Sequence, residues 1–184
     1  MRKYNRIHYK LSRAALIMFV GINPHPGSYE RGVPFSNNKM FWYILSKAHL
    51  IKEPVEELKD DPNLRKIYEN KFSQAYKLNF INLVDRPTIS VSELEKGEEQ
   101  KGIKRVKDAI LAYKPMLVCF VGKITYEKFI GVRNTDYGFK EPIFGTKTYV
   151  CRFPIRGPSQ VRVREMEKLL LIARNEEAKH QSSS

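Results

Sequence analysis

Four short apolar runs, each followed by a polar or proline-containing turn, set the hydrophobic pattern of the chain. They span residues 14–20, 78–84, 116–121 and 148–153 and are rich in β-branched, aromatic and aliphatic side chains. Runs of this length, without regular alternation of apolar and polar positions, are typical of strands buried on both faces of a parallel sheet. The apolar residues between the runs recur at helical spacing, which predicts helices that begin near Phe41, Asp61, Ser92, Lys123 and Ser159.

This alternation of strands and helices predicts an α/β fold, a three-layer αβα sandwich around a mostly parallel four-stranded sheet. No repeat or linker divides the chain, so we expect one domain over residues 1–177 and a flexible C-terminal tail over residues 178–184. The segment 133–147 predicts a surface loop or a weak hairpin. In a sheet of this kind the four strand ends lie along one rim, so we expect their loops to converge there.

The loop after the first run is unusually constrained. It reads Gly21-Ile22-Asn23-Pro24-His25-Pro26-Gly27-Ser28, in which two prolines fix the backbone and two glycines permit conformations that other residues avoid. Asn23 precedes a proline, so it fits either an ordinary turn or a side chain displayed on a rigid loop. Phe35 follows Pro34 in the next loop segment and is a candidate binding group, whereas Phe41 and Trp42 enter a helix and are assigned to the core.

The charge of the chain points to its partner. The formal net charge is +13 and the isoelectric point is near 9.7. An excess of this size favours a polyanionic binding partner, with nucleic acid as the first candidate and an anionic membrane as the second. A surface charged only for solubility would give the same composition. The N-terminal segment predicts neither a signal peptide nor a membrane span.

Cysteine usage indicates the compartment and argues against a metal site. Cys119 and Cys151 both lie in apolar runs, where a thiol behaves as a small hydrophobic residue, so we expect an intracellular, reducing location. Two cysteines without close spacing cannot hold zinc or an iron–sulfur cluster on their own. No metal or cofactor is predicted.

At the predicted rim, amide, aromatic and cationic side chains come together. Asn23 and Asn82 offer both donors and acceptors, which are the groups needed to read the edge of a nucleobase, although Asn82 also fits a role in satisfying nearby backbone groups. Phe35 offers a stacking face that is worth on the order of 1–3 kcal/mol per base. Arg156 stands between prolines in the loop after the fourth run.

Several of these segments resemble one known family. Gly21-Ile22-Asn23-Pro24, then Gly32-Val33-Pro34-Phe35 and Phe41-Trp42, resemble the first motif of the uracil-DNA glycosylase superfamily, most closely the mismatch-specific uracil and thymine-DNA glycosylases. Residues 81–88 and 114–127 are similar to later segments of that family and occur in the same order. His25 and Pro26 depart from its usual residues. Residues 153–158 depart from its final motif and, like residues 32–35, are more similar to the single-strand-selective branch.

The resemblance implies roles for individual residues. Asn23 would position the water that attacks the sugar C1′, Phe35 would stack on the flipped base and Asn82 would pair with the edge of uracil. Gly21 and Ile22 would contribute backbone contacts to the substrate, and Ser28 would lie near the 5-substituent of the base.

The remaining candidate contacts are basic. Arg156 is a candidate wedge that fills the gap left by the extruded base, with Arg162 or a simple phosphate contact as alternatives. Lys39 and Lys123 fit either phosphate contacts or solvated charges. His25 is assigned to the loop, making phosphate or backbone hydrogen bonds, because no second ligand lies at metal-binding spacing.

The leading hypothesis is therefore a monomeric, monofunctional DNA-repair glycosylase that removes uracil, with thymine opposite guanine as a further candidate substrate. Its chief rival is a non-catalytic protein that binds single-stranded nucleic acid with the same aromatic and basic residues. A nucleotide hydrolase or transferase is disfavoured, because no glycine-rich phosphate loop follows a strand.

Overall fold

One mixed sheet forms the centre of the computed structural model, which describes residues 7–154 and 158–184. The strands of this described part are β1 (Ile17–Gly21), β2 (Leu78–Asn82), β3 (Leu117–Val121), β4 (Gly138–Ile143) and β5 (Thr146–Cys151). Their order across the sheet is β2-β1-β3-β5-β4, and all neighbouring pairs are parallel except β4 and β5.

Helices cover both faces of the sheet. They are α1 (Pro26–Arg31), α2 (Met40–Lys47), α3 (Val55–Leu58), α4 (Asp61–Ile67), α5 (Gln100–Tyr113), α6 (Lys123–Ile130) and α7 (Ser159–Ser182). A π-helical turn over Tyr68–Phe72 continues α4, and a 3₁₀ turn over Val91–Glu93 precedes α5. None of the described helices combines the length and the apolarity that a membrane crossing requires.

Alternate side chains of β1 show how the layers are built. Ile17 and Phe19 join a core cluster that includes residues of α2, α4 and α7, whereas Met18 and Val20 join a second cluster with residues of α5 and α6. All four side chains are fully buried, as expected for a central parallel strand. The predicted αβα architecture with a mostly parallel sheet is therefore confirmed.

The predicted number of strands was too low. The fourth predicted strand is β5, and the segment predicted as a loop or weak hairpin supplies β4, which forms a hairpin with β5. Strand β4 lies at the sheet edge and carries polar side chains and Pro142, so its sequence lacks the apolar run that marks the inner strands. Its turn uses Phe144 and Gly145, both with positive φ, where an Asn-Gly pair would be the usual signal.

Two element boundaries also differ from the predictions. The capping box pairs Ser90 with Glu93 rather than residues 92 and 95, and it caps the 3₁₀ turn. Helix α5 begins at Gln100, where Gly102 allows close packing: a Cβ at this position would lie 1.6 Å from the Leu83 carbonyl oxygen. Helix α7 continues through residues 178–182, which are exposed to solvent.

Candidate active site

A cavity of about 240 Å³ lies at the carboxyl edge of the sheet. Residues after β1, after β2 and after β5 line it, together with Val121 at the end of β3 and residues of the segment 34–41. The predicted site residues that line it are Ile22, Asn23, Ser28, Phe35 and Asn82. Four of them lie between β1 and α2 and Asn82 ends β2, and the parallel pairing of β1 with β2 brings the two groups together.

The side-chain amide of Asn23 has a defined orientation. Its Nδ2 donates to the Thr88 hydroxyl at 2.7 Å, to the Arg86 carbonyl oxygen at 3.0 Å and to the Pro24 carbonyl oxygen at 3.4 Å. The Thr88 hydroxyl donates in turn to the Ser90 carbonyl oxygen at 2.8 Å, so it accepts from the amide. Because carbonyl oxygens only accept, Nδ2 must face them. Asn23 Oδ1 has no hydrogen-bond partner among the described residues and is available as an acceptor.

Asn82 is buried, and its side chain has no hydrogen-bond partner among the described residues. It is the last residue of β2, it is 2 % exposed and it lines the cavity. Its side-chain amide forms no hydrogen bond within the described part of the chain, so the structure gives no support to the alternative that Asn82 satisfies nearby backbone groups. Because the residue lines the cavity, its amide offers a donor and an acceptor to a polar ligand there.

Phe35 forms an aromatic wall held in a strained conformation. Its ring packs against Phe41, with centroids 4.6 Å apart, and against Phe80 at 5.1 Å. Its φ is +53°, a left-handed value that costs a non-glycine residue about 1–3 kcal/mol. Trp42 fixes the loop by donating from Nε1 to the Pro34 carbonyl oxygen at 2.7 Å. Phe41 and Trp42 are buried, as the sequence predicts.

Ser28 anchors the same loop from the other side. Its hydroxyl oxygen accepts from the backbone N–H groups of Ser36 at 3.0 Å and Asn37 at 2.9 Å, and the residue is 2 % exposed. With both acceptor positions occupied, Ser28 holds the segment that carries Phe35. The hydroxyl hydrogen is the remaining hydrogen-bonding group of this side chain.

Comparison with known proteins gives one family. The family model described as Uracil DNA glycosylase superfamily matches residues 9–179. The chain belongs to this superfamily. Membership supports a glycosylase that acts as a hydrolase in DNA repair and that binds DNA, and it confirms the resemblance seen in the sequence at the level of the superfamily.

Gly21 of this glycosylase makes room for the site. In the sheet register Gly21 lies directly beside Asn82. A Cβ added to Gly21 would lie 2.4 Å from Asn82 Oδ1 and 3.0 Å from Phe35 Cζ. The glycine therefore lets two predicted binding groups pack closely against the end of β1. The carbonyl oxygens of Gly21 and Ile22 accept from the backbone N–H groups of Leu83 and Val84, which ties the two loops together.

Sequence reasoning missed a partly buried hydrogen-bond network that includes the backbone of Asn82. Arg105 donates from Nη2 to the Asn82 carbonyl oxygen at 2.6 Å and from Nη1 to Asp85 Oδ2 at 2.8 Å, and Tyr9 donates its hydroxyl to Asp85. Burial, reinforced by the bond to Asp85, raises the pKa of Tyr9, so its hydroxyl stays protonated. Tyr9 and Asp85 are 76 positions apart. No local motif could have revealed this contact.

The two predicted lysine contacts differ in their exposure and in how closely neighbouring groups hold their ammonium groups. Lys39 Nζ pairs with Asp61 at 2.5 Å and donates to the Lys59 carbonyl oxygen, and its side chain is only 12 % exposed. The hydrogen bond from Lys39 lowers the pKa of Asp61. Lys123 Nζ lies 4.5 Å from the ring centroid of Tyr137 and 3.9 Å from Asp136, and it is more exposed. Neither lysine lines the cavity.

The remaining predicted contacts are Arg156, its alternative Arg162, and His25. Arg156 lies outside the described residues. Arg162, the alternative wedge, is buried in α7 at 4 % exposure. His25 caps α1, accepting from the Gly27 N–H at Nδ1 over 3.1 Å, and it lines the cavity. No group of three histidine, cysteine or acidic side chains able to hold a metal occurs in residues 7–154 and 158–184.

Proposed function

We propose that the protein hydrolyses the N-glycosidic bond of a uracil flipped out of DNA and leaves an abasic site. The observation that carries this proposal is the buried amide of Asn82, which has no hydrogen bond to another described residue and lies in the cavity that Asn23 also lines. The amide has a donor and an acceptor, which match an acceptor oxygen and the neighbouring N–H of uracil. Extruding the base from a duplex costs about a few kcal/mol, and stacking on Phe35 offsets part of it.

The proposed mechanism relies on positioning. With Nδ2 held by Thr88 and two carbonyl oxygens, Asn23 Oδ1 accepts a hydrogen bond from water and directs the water oxygen at the sugar C1′. The amide cannot take the proton, so Asn23 does not act as a general base. As the water oxygen bonds to C1′, the bond to the base breaks and its electron pair leaves with the base, while the proton lost by the water passes to solvent or to the departing base. The base leaves as an anion, which hydrogen bonds from Asn82 stabilise.

The cavity lining favours a monofunctional enzyme. None of the residues known to line the cavity is a lysine, whose amine would be needed for a covalent Schiff-base step. Water is then the nucleophile. One chain supplies every residue that this mechanism uses, so we propose that it acts as a monomer. Uracil opposite guanine is the proposed substrate within the mismatch-specific branch, and Ser28, in the cavity wall, is the candidate residue for admitting or excluding the methyl group of thymine.

An excision assay tests the proposal. Purified protein is incubated with end-labelled DNA containing uracil opposite guanine, opposite adenine or unpaired, or thymine opposite guanine, and alkali then cleaves abasic sites. We expect strand breaks at uracil with the wild type and far fewer with the Asn23→Ala variant. Binding without any breaks would instead support the single-strand-binding alternative.

Replacing Gly21 with alanine is expected to lower kcat/KM without unfolding the protein. The new Cβ would meet Asn82 Oδ1 at 2.4 Å, so the amide must rotate away from its position, but it has no hydrogen bond to another described residue to lose. Steady-state excision rates and thermal unfolding of Gly21→Ala, Asn82→Ala and the double variant check this. The effect of Gly21→Ala should shrink in the Asn82→Ala background, whereas fully additive losses would contradict the proposed clash.

Salt dependence should reveal which lysine contacts phosphate. The net charge of +13 predicts that log affinity for DNA falls linearly with log salt concentration. We propose Lys123 and Arg156 as backbone contacts, and Lys39 as a weaker one because Asp61 holds its ammonium group. Lys123→Ala is expected to reduce the slope by about one, and Lys39→Ala by less. Equal changes for the two variants, or a flat dependence for the wild type, would contradict this assignment.

A further inference from the structure

Residues 82–88 connect the two amides of the proposed mechanism. The segment begins with Asn82, whose side chain lines the cavity, and ends with Thr88, whose hydroxyl accepts from Asn23 Nδ2. The Arg86 carbonyl oxygen, between these two residues, accepts from the same Nδ2. The position of the 82–88 segment therefore affects the placement of both amides.

Arg105 of α5 holds this segment with three hydrogen bonds. Its Nη2 donates to the Asn82 carbonyl oxygen at 2.6 Å and to Asp85 Oδ1 at 3.2 Å, and its Nη1 donates to Asp85 Oδ2 at 2.8 Å. Asn82 ends β2, which is the outermost strand on its side of the described sheet. A planar guanidinium can bind this backbone oxygen and the carboxylate together, because its donors form a rigid fork.

The guanidinium is itself held in place by its surroundings. Gly102, one turn earlier on α5, packs so closely on the 82–88 segment that a Cβ there would lie 1.6 Å from the Leu83 carbonyl oxygen. Tyr9 donates its hydroxyl to Asp85, and its ring centre lies 5.1 Å from the guanidinium carbon of Arg105. Helix packing, an ion pair and an aromatic contact thus fix the same group.

We propose that Arg105, through its contacts with Asp85 and the Asn82 backbone, is a positioning residue that keeps Asn82 and Asn23 aligned for uracil excision. This inference rests on the proposed function. Arg105 and Asp85 are not among the cavity-lining residues, so they act on the base through the backbone that they hold. A misplacement of about 1 Å can lower a reaction rate by about 10²-fold, so a loosened segment should impair catalysis more than DNA binding.

The first test separates the excision rate from DNA affinity. Arg105→Ala is expected to slow single-turnover excision of uracil by about tenfold or more, while its affinity for an uncleaved duplex stays within about twofold of the control. Lys104→Ala is the matched control, because it removes the same charge from the neighbouring residue of α5, where exposed Lys104 pairs with Asp108 at 2.7 Å. Thermal unfolding of each variant gives an assay temperature at which both are folded.

Two further variants distinguish positioning from a general loss of stability. Arg105→Lys keeps a positive charge beside Asp85 but lacks the fork, so it should also excise uracil more slowly than the wild type, and it carries the rate comparison if Arg105→Ala does not fold. The loss caused by the Arg105 substitution should be smaller in the Asn82→Ala background, because the amide that it positions is then absent. A loss of equal size in both backgrounds would overturn the proposal.

The outcomes separate this inference from the proposed function. Excision rates of both Arg105 variants equal to that of Lys104→Ala would overturn the positioning role and leave the glycosylase activity intact. A loss confined to DNA affinity would also overturn it, because that pattern indicates a phosphate contact. If the wild type releases no uracil, the proposed function fails and the positioning role fails with it.

Discussion

Replacing Asn23 with alanine is expected to slow uracil excision by about 10²-fold or more, because a poorly placed reacting group costs roughly that factor. The alanine keeps the proline-stiffened backbone but removes the acceptor that holds the water. Asn23 does not carry the stacking face or the proposed base-reading amide, so affinity for uracil-containing DNA should stay within about twofold. Single-turnover excision and equilibrium binding to an uncleaved duplex measure the two quantities separately.

The Asn23→Asp variant distinguishes positioning from proton transfer. A carboxylate at this place can accept a proton, so the rate should rise with pH as the new group ionises, which the wild-type amide cannot do. Its second oxygen, however, would face the Arg86 and Pro24 carbonyl oxygens that now accept from Nδ2. Repulsion between these oxygens favours the protonated form and raises the pKa of the new carboxyl. Turnover of Asn23→Ala equal to that of the wild type would remove Asn23 from the mechanism.

The inner strands could be predicted because burial on both faces leaves a continuous apolar run. Strand β4 could not, since an edge strand is exposed and its polar residues follow no such run. Helix α1 was also missed, because it begins at Pro26 inside a loop that prolines and glycines mark as a turn. Apolar patterns in a sequence indicate buried positions. Strands and helices at the surface lack such patterns and are therefore harder to predict.

The convergence of Asn23 and Asn82 could be predicted from the sequence, but the contacts of the candidate residues could not. Strand ends converge in any open parallel sheet, so Asn23 and Asn82 could be placed at one rim from the sequence. The orientation of the Asn23 amide depends on Thr88, which is 65 positions away, and the pairing of Lys39 with Asp61 depends on how α4 packs. Such contacts are set by tertiary packing, which local sequence patterns do not record.

Replacing Asn82 with alanine should separate activity from stability. Two hydrogen bonds to a base that leaves as an anion are worth roughly 1.5–3 kcal/mol each, so their loss predicts a fall in kcat/KM of about 10²-fold or more. Asn82 has no side-chain hydrogen bond within the described residues, so the free energy of unfolding should change by less than about 1 kcal/mol. Excision kinetics and urea denaturation measure these two effects.

Asn79 is the matched control on the same strand, three positions earlier and fully buried. Its amide accepts from the Ser12 N–H and donates to the Ser12 carbonyl oxygen, both at 2.9 Å. Asn79→Ala leaves both backbone groups unpaired and should lower the free energy of unfolding by about 1–3 kcal/mol. It does not line the cavity, so folded Asn79→Ala should retain most of its activity. If Asn82→Ala instead loses stability in proportion to activity, its amide is a structural group and the case for a bound base fails.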